Sequence, residues 1–328
     1  MLKKKIFMNL NDCLNSSLQS YSILVFNLSN DQIGERGTSD LASALANCTN
    51  LTNLTLDLTA NLIDEKCALV LGTALEKCSN LSNFTLNLCY NRIGAIGASG
   101  LGTSLAKCKN LSNLTLGLNE NKMYDEDVSA LGSALAISTN LLNLTLILYS
   151  NLIGDKGASD LSSALARCIN LSDLTLDLSY NQIGAIGASN LICSTFGKCT
   201  NLSNLTLKLS YNNIDGIGGL SFNFTLAKCT NLSNLTLDLG CNFIGQEGAS
   251  GLGFVLSQQS NLSNLALHVD ENQIGPVGAL GLGFTLAKFT NLQNLALNLQ
   301  LNQINPSEKL KVKSKCLKSK RLVIFKIF

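Results

Sequence analysis

The chain has 328 residues, of which 46% are hydrophobic and only 14% are charged, and its formal net charge is +2 at pH 7. So small an excess of charge gives no general attraction to nucleic acid or to a membrane surface, and neither is an expected partner. No apolar run in the sequence is long enough to span a bilayer.

The first twenty residues differ from the rest of the chain. The apolar run Ile6–Met8 that follows three lysines is too short to serve as a signal peptide. Leu10, Leu14 and Leu18 recur at helical spacing. We therefore predict that residues 1–20 form a helical cap over the first repeat.

One sequence motif then occurs ten times between residues 21 and 321. The copies begin at Tyr21, Leu51, Leu81, Leu111, Leu141, Leu171, Leu202, Leu232, Leu262 and Leu292. A truncated copy begins at Leu322, and residues 322–328 are predicted as a C-terminal capping strand. A fixed period of about thirty residues predicts a solenoid, because each repeat can bury its apolar face only against its neighbours.

In the first part of each repeat apolar residues recur at every second position, and in the second part they recur about every 3.6 positions. Leu54, Leu56 and Leu58 alternate with polar residues, which predicts a strand, whereas Leu71 and Leu75 form one stripe of a helix. Parallel strands joined by helical crossovers predict an α/β horseshoe, with the sheet on the concave face and the helices on the convex face. The asparagine after each strand is expected to point inward and bond the backbone of adjacent turns.

These residues resemble a leucine-rich repeat of the ribonuclease-inhibitor type. In that family an asparagine is followed by an apolar residue, a glycine and two leucines at fixed spacing, and Asn91, Ile93, Gly97, Leu101 and Leu105 match all five positions. Each repeat here is longer by one x-Leu pair. The resemblance implies a horseshoe that binds folded proteins. Similar arrays occur in protist proteins, some linked to kinase domains, but no kinase signature follows here.

The cysteines indicate a reducing environment. Six of the twelve occupy one helix position in successive repeats: Cys48, Cys78, Cys108, Cys168, Cys199 and Cys229. Phe289 takes the same position in another repeat, so this is a packing position rather than a redox or metal position. Glycans on the many Asn-x-Thr sequons would obstruct stacked strands. We therefore expect an intracellular protein, cytoplasmic with the nucleus not excluded.

The sequence offers little for catalysis. His268 is the only histidine, so a Ser/His or Cys/His pair could form only around it. The glycine-rich run at residues 97–103 lacks the lysine of a phosphate loop, and no Cys-x-x-Cys pair favours zinc. We expect no enzyme activity, no cofactor and no metal.

The basic C-terminal run favours a charged capping helix. Seven basic residues lie between Lys309 and Arg321, while Leu310, Val312 and Cys316 keep the register of the repeat. A nuclear address or an acidic-partner site is the alternative.

Function is expected where the repeats differ, on the inner face of the sheet. One varying column includes Asp177, Lys208, Asp238 and His268 on consecutive strands. A second, at the strand ends, comprises Tyr90, Glu120, Tyr149, Tyr180, Tyr211, Asp270 and Glu271. Tyrosine offers a large apolar face with a polar tip and suits a binding surface. The alternative is that the rings merely cover the turns beneath them.

The sequence therefore predicts a non-enzymatic protein-binding scaffold that uses these two columns. One alternative is a regulator of a small GTPase, because the GTPase activators of Ran share this repeat type, and Arg92 is the one plausible arginine on the loop edge. Another is a regulatory array related to kinase-linked repeat proteins.

Overall fold

The computed structural model describes residues 3–196, 199–221, 231–256, 261–319 and 321–328. The chain forms two compact units, residues 1–153 and residues 154–328. The predicted division into a cap, one continuous array and a terminal strand stays a prediction.

Unit 1 alternates short strands with helices. Its strands are β1 Lys4–Phe7, β2 Ile23–Asn27, β3 Asn53–Asp57, β4 Asn83–Asn87, β5 Asn113–Gly117 and β6 Asn143–Ile147. Its helices are α1 Leu10–Leu14, α2 Gly34–Leu45, α3 Glu65–Leu75, α4 Gly94–Lys107 and α5 Asp125–Leu135, with a 3-10 turn at Leu18–Ser20. The strands run parallel and lie in chain order.

Unit 2 continues the same alternation. Its helices are α6 Asp155–Leu165, α7 Ala185–Phe196, α8 Gly216–Ser221, α9 Gly245–Leu256, α10 Gly275–Leu286 and α11 Pro306–Cys316. Its strands are β7 Asp173–Asp177, β8 Asn204–Lys208, β9 Asn234–Asp238, β10 Asn264–His268, β11 Asn294–Asn298 and β12 Ile324–Ile327. These strands are also parallel and in chain order.

The core of each unit lies between the sheet and its helices. Leu54 pairs with Leu24 and Phe84 on the neighbouring strands, so equivalent positions of successive repeats stand side by side. These side chains and the helix residues Leu71 and Leu75 are buried. The predicted solenoid of parallel strands and helices is confirmed, because the two apolar periods place leucines on the facing sides of both elements.

The asparagine after each strand from β3 to β11 is buried, as predicted, whereas the exposed Asp31 takes this position after β2. Asn91 Nδ2 donates to the carbonyls of Leu58 and Leu88 at 3.0 and 3.1 Å, and its Oδ1 accepts from the backbone N–H groups of Asn61 and Ile63. One side chain thus satisfies backbone groups of two successive turns that water cannot reach.

The N-terminal segment differs from the predicted helical cap. Helix α1 spans only five residues, and β1 precedes it as a strand paired with β2. The Phe7 ring is buried and stacks on Phe26 with centroids 5.2 Å apart. The three-residue apolar run Ile6–Met8 carries almost no strand signal by itself, and pairing with β2 supplies the missing stabilisation.

Candidate functional site

The outward face of the strands carries three side-chain columns. The first of them was not predicted from the sequence. The first residues of the strands form an amide ladder. In unit 2, Asn204 Nδ2 donates to Asp173 Oδ1, Asn234 donates to Asn204, and Asn264 donates to Asn234, each at 2.5 Å. Asn294 donates to Asn264 in the same way. The sequence signal for this ladder is the asparagine that recurs two residues after the start of most repeats, with Asp173 in its place in the sixth and Ile23 in the first.

The middle column is threonine from β3 to β9 and alanine on β10 and β11. Because Ala266 and Ala296 lack the threonine branches, the sheet face has a depression of about 260 Å³ over them. Asn264, Asn294 and Lys326 also line it.

The third column contains the predicted charged row, and its register is confirmed. Asp177 pairs with Lys208, Lys208 with Asp238, and Asp238 with His268 across adjacent strands. Lys208 Nζ lies 3.2 Å from Asp177 Oδ2, and Asp177 is buried.

Part of this row has a structural role. Asp177 Oδ1 accepts from the Ser179 N–H at 3.2 Å, and Asp238 Oδ1 accepts from the Gly240 N–H at 3.1 Å. A carboxylate that bonds the backbone two residues on stabilises the turn that ends the strand.

The predicted strand-end column proves to be two separate rows. Tyr149 and Asp270 follow the last buried leucine or valine and are half-buried on the sheet face. The other five residues lie one position later, where the backbone is left-handed, with φ between 52° and 57°: Tyr90, Glu120, Tyr180, Tyr211 and Glu271. A left-handed residue breaks the alternation of a strand, so the rows cannot share one column.

Tyr180 and Tyr211, two members of the second row, lie against each other. Their rings stack at a centroid distance of 4.0 Å with an interplanar angle of 11°, and the side chains are 52% and 45% exposed. Their N–H groups donate to the carbonyls of Ser210 and Gly240 on the next turn. The neighbouring Cys241 thiol and the Tyr180 hydroxyl raise the pKa of Tyr211.

The tyrosines of unit 1 do not stack in this way. Tyr90 is exposed, and the half-buried Tyr149 lies near enough to it that burial and the Tyr90 hydroxyl together raise the pKa of Tyr149. Glu120 is half-buried beside them. Arg92, the residue of the GTPase hypothesis, is exposed on the loop edge, and its N–H donates to the Ile63 carbonyl.

In the part of the chain that the structure describes, no three His, Cys, Asp or Glu side chains converge as ligands for a metal ion. No helix among the same residues has the length and apolar character needed to cross a membrane.

Comparisons with known proteins address the repeat. A family model described as "Leucine Rich repeat" matches residues 171–191 and 231–253. A crystal structure of an internalin from Listeria monocytogenes aligns with 94% of this chain and 81% of its own chain, at 22% sequence identity and a TM-score of 0.49. No curated protein matches the chain.

The two matched segments contain β7 and β9 with the helices that follow them. The other repeats have the same strand-to-helix order, and the buried asparagine recurs after each strand from β3 to β11. The chain thus repeats the leucine-rich pattern that the family model matches in two segments.

Proposed function

We propose that the chain is a non-enzymatic scaffold that binds a protein partner through the outward sheet face and the strand-end tyrosines of unit 2. Leucine-rich repeat arrays generally act as protein-interaction scaffolds. The observation that carries the proposal is the Tyr180–Tyr211 stack, which is about half exposed. Two aromatic rings held on rigid turns give contact area at little entropic cost, which is typical of interface anchors.

The charged row supports the same surface. Lys208 and His268 are half-buried and face outward, Lys208 between Asp177 and Asp238 and His268 beside Asp238. A row of alternating charge favours a partner with the complementary pattern, and it affects specificity more than affinity. We also propose that the repeats are of the ribonuclease-inhibitor-like subtype and that the protein works in an intracellular, reducing location. The proposed partner is a protein and not a nucleic acid or a membrane.

The test is a double substitution, Tyr180→Ala with Tyr211→Ala. We expect the protein partner captured by the wild type to bind more weakly by about 1–3 kcal/mol, because two anchors are removed. The free energy of unfolding should change little, since both rings are half exposed. Affinity purification with mass spectrometry identifies the partner, and calorimetry measures both quantities.

Two controls make the result specific. Tyr124→Ala removes an exposed tyrosine of unit 1 outside both rows and should leave binding unchanged. Leu176→Ala removes a buried core side chain and should cost about 2–5 kcal/mol of stability. Equal binding by the wild type and the double variant would remove the tyrosines from the proposed surface.

A further inference from the structure

The strand-to-helix turns of unit 2 form a surface that combines acidic and apolar side chains. We define this acidic edge as residues 177–187, 208–219, 238–249 and 268–279. It holds six carboxylates against one lysine, a net charge of −5 with His268 neutral. The carboxylates belong to Asp177, Asp215, Asp238, Glu247, Asp270 and Glu271. The one lysine, Lys208, pairs with the buried Asp177, so the exposed carboxylates have no cation of their own on this edge.

The apolar side chains of the acidic edge are large and exposed. Six of them are between 45% and 69% exposed: Tyr180, Ile186, Tyr211, Ile217, Phe243 and Val277. Isolated apolar residues on a surface need no explanation, but a cluster of this kind marks an interaction site.

The two sets of side chains interleave from turn to turn. Phe243 forms an isolated bridge with Asp215 on the preceding turn, and its N–H donates to the Ile214 carbonyl at 2.8 Å. A Cβ on Gly248 would lie 3.0 Å from the Gly216 Cα, so the flanking residues Glu247 and Ile217 stand on closely packed turns. Asp215, Glu247 and Glu271 are all exposed beside the apolar cluster.

The backbone of the acidic edge is ordered before any partner binds. Asn213, Cys241 and Gly245 each donate their N–H to a carbonyl of a neighbouring turn, at 2.8, 2.9 and 2.9 Å. The surface therefore loses little conformational freedom on binding, and the partner bears most of the ordering cost.

We infer that the acidic edge binds a basic amphipathic helix of the partner protein, an inference that rests on the function proposed above. Successive turns repeat at the strand spacing of about 4.8 Å. Residues three or four apart on a helix have Cβ atoms about 5–6 Å apart, close to that spacing. A helix laid across the turns can thus place apolar residues on Tyr211, Ile217 and Phe243 and direct Lys or Arg toward Asp215, Glu247 and Glu271. Nucleic acid and anionic membranes are repelled by the same charge.

The chain itself contains a rival occupant. Helix α11 carries four lysines and exposes Leu310, so a second copy of the chain offers similar chemistry. The experiment must therefore separate a foreign helix from self-association.

The probe is a fluorescent peptide of about five helical turns, built from Leu and Lys at amphipathic spacing. Its counterpart has Glu in place of every Lys. By fluorescence anisotropy, we expect the Lys peptide to bind the full chain at least about ten-fold more tightly than the Glu peptide. Its affinity should fall as salt is raised from 0.01 to 0.15 M, where screening shortens from about 30 to about 8 Å.

Matched variants use the same repeat position in the two units. Phe243→Ser should weaken Lys-peptide binding about ten-fold, whereas Leu62→Ser, an exposed residue at the same position in unit 1, should not. Glu247→Lys should also weaken it, whereas Glu126→Lys, its exposed counterpart in unit 1, should not.

Three results would overturn the inference: equal binding of the two peptides, equal effects of the matched variants, or a dimer in sedimentation that Glu247→Lys abolishes. The last would assign the acidic edge to a second copy. If the captured partner depends on Tyr180 and Tyr211 but the Lys peptide fails to bind, only this inference is wrong. If the partner is indifferent to both tyrosines, the proposed function itself is wrong.

Discussion

At the scale of single residues, the buried asparagines contribute most clearly to the fold. Asn242 Nδ2 donates to the carbonyls of Leu209, Leu239 and Gly240 at 2.9–3.1 Å, and its Oδ1 accepts from the Ile214 N–H at 3.1 Å. The three carbonyls also accept from the Asn212 amide, the Asn272 amide and the Tyr211 N–H, so the Ile214 N–H depends most on Asn242. A buried group without a partner costs about 1–3 kcal/mol.

Asn242→Ala should therefore destabilise the protein by about 2–4 kcal/mol, since it removes the acceptor of the buried Ile214 N–H and one of two donors from each of three buried carbonyls. Asn234→Ala, in the half-buried amide ladder, removes three side-chain hydrogen bonds near water and should cost about 1 kcal/mol. Denaturant unfolding of both variants measures the difference. If Asn234→Ala costs as much as Asn242→Ala, the ladder is more important to the fold than its exposure indicates.

At the scale of elements, helices begin in different ways at one repeat position. Four of them begin at a glycine with positive φ: Gly34, Gly94, Gly245 and Gly275. Helices α3 and α8 follow Asp64 and Asp215 instead, whose carboxylates accept from N–H groups of the first turn. Glycine satisfies the turn by its backbone freedom and aspartate by capping the helix.

The cap of α3 should make stability depend on pH. The hydrogen bond from the Cys67 N–H lowers the pKa of Asp64 below its usual value. A lowered folded-state pKa means that the stabilisation is present above the unfolded pKa of about 3.9 and is lost as pH falls through the folded value. Asp64→Ala should cost about 1 kcal/mol at pH 7 and less at pH 3.

Asp64→Asn is the matched control for that prediction. It keeps an oxygen that can accept from Cys67 but has no charge, so it should retain most of the stability without the pH dependence. Denaturant unfolding curves at pH 3 and pH 7 compare the stabilities of the wild type and the two variants. A deficit of Asp64→Ala that is as large at pH 3 as at pH 7 would mean that the carboxylate charge plays no part in the cap.

At the scale of the whole molecule, the cysteines join repeats as packing residues. Cys108 Sγ lies 3.7 Å from the Leu75 carbonyl and 3.8 Å from the Cys78 carbonyl, both in the preceding repeat. Burial raises the pKa of Cys78 to about 12 and that of Cys168 to about 11. Ten described cysteines are free thiols, while Cys193 and Cys229 fall outside the described side chains.

Thiol chemistry tests the proposed reducing location. In the native protein near neutral pH, the half-buried Cys89 and Cys241 should react before the buried cysteines, because the thiolate is the reactive form and burial suppresses it. Reaction should quicken as pH approaches the raised pKa values. Under denaturant all twelve cysteines should titrate as free.

Melting gives an independent readout of the same prediction. Reducing agent should leave the melting temperature unchanged, because the ten described cysteines are free thiols and we expect Cys193 and Cys229 to be reduced as well. A reducible shift of several degrees would argue instead for an oxidising location.

Several features of this protein were determined by its sequence alone. The repeat, the strand and helix of each copy, the inward asparagine and the register of Asp177, Lys208, Asp238 and His268 all followed from local periodicity. The tertiary structure alone decided the pairing of β1, the amide ladder, the division of Tyr149 from Tyr180 and Tyr211, and the tyrosine stack. Spacing along the chain specifies which face a side chain occupies, whereas these features depend on backbone turns and on contacts between residues about thirty positions apart.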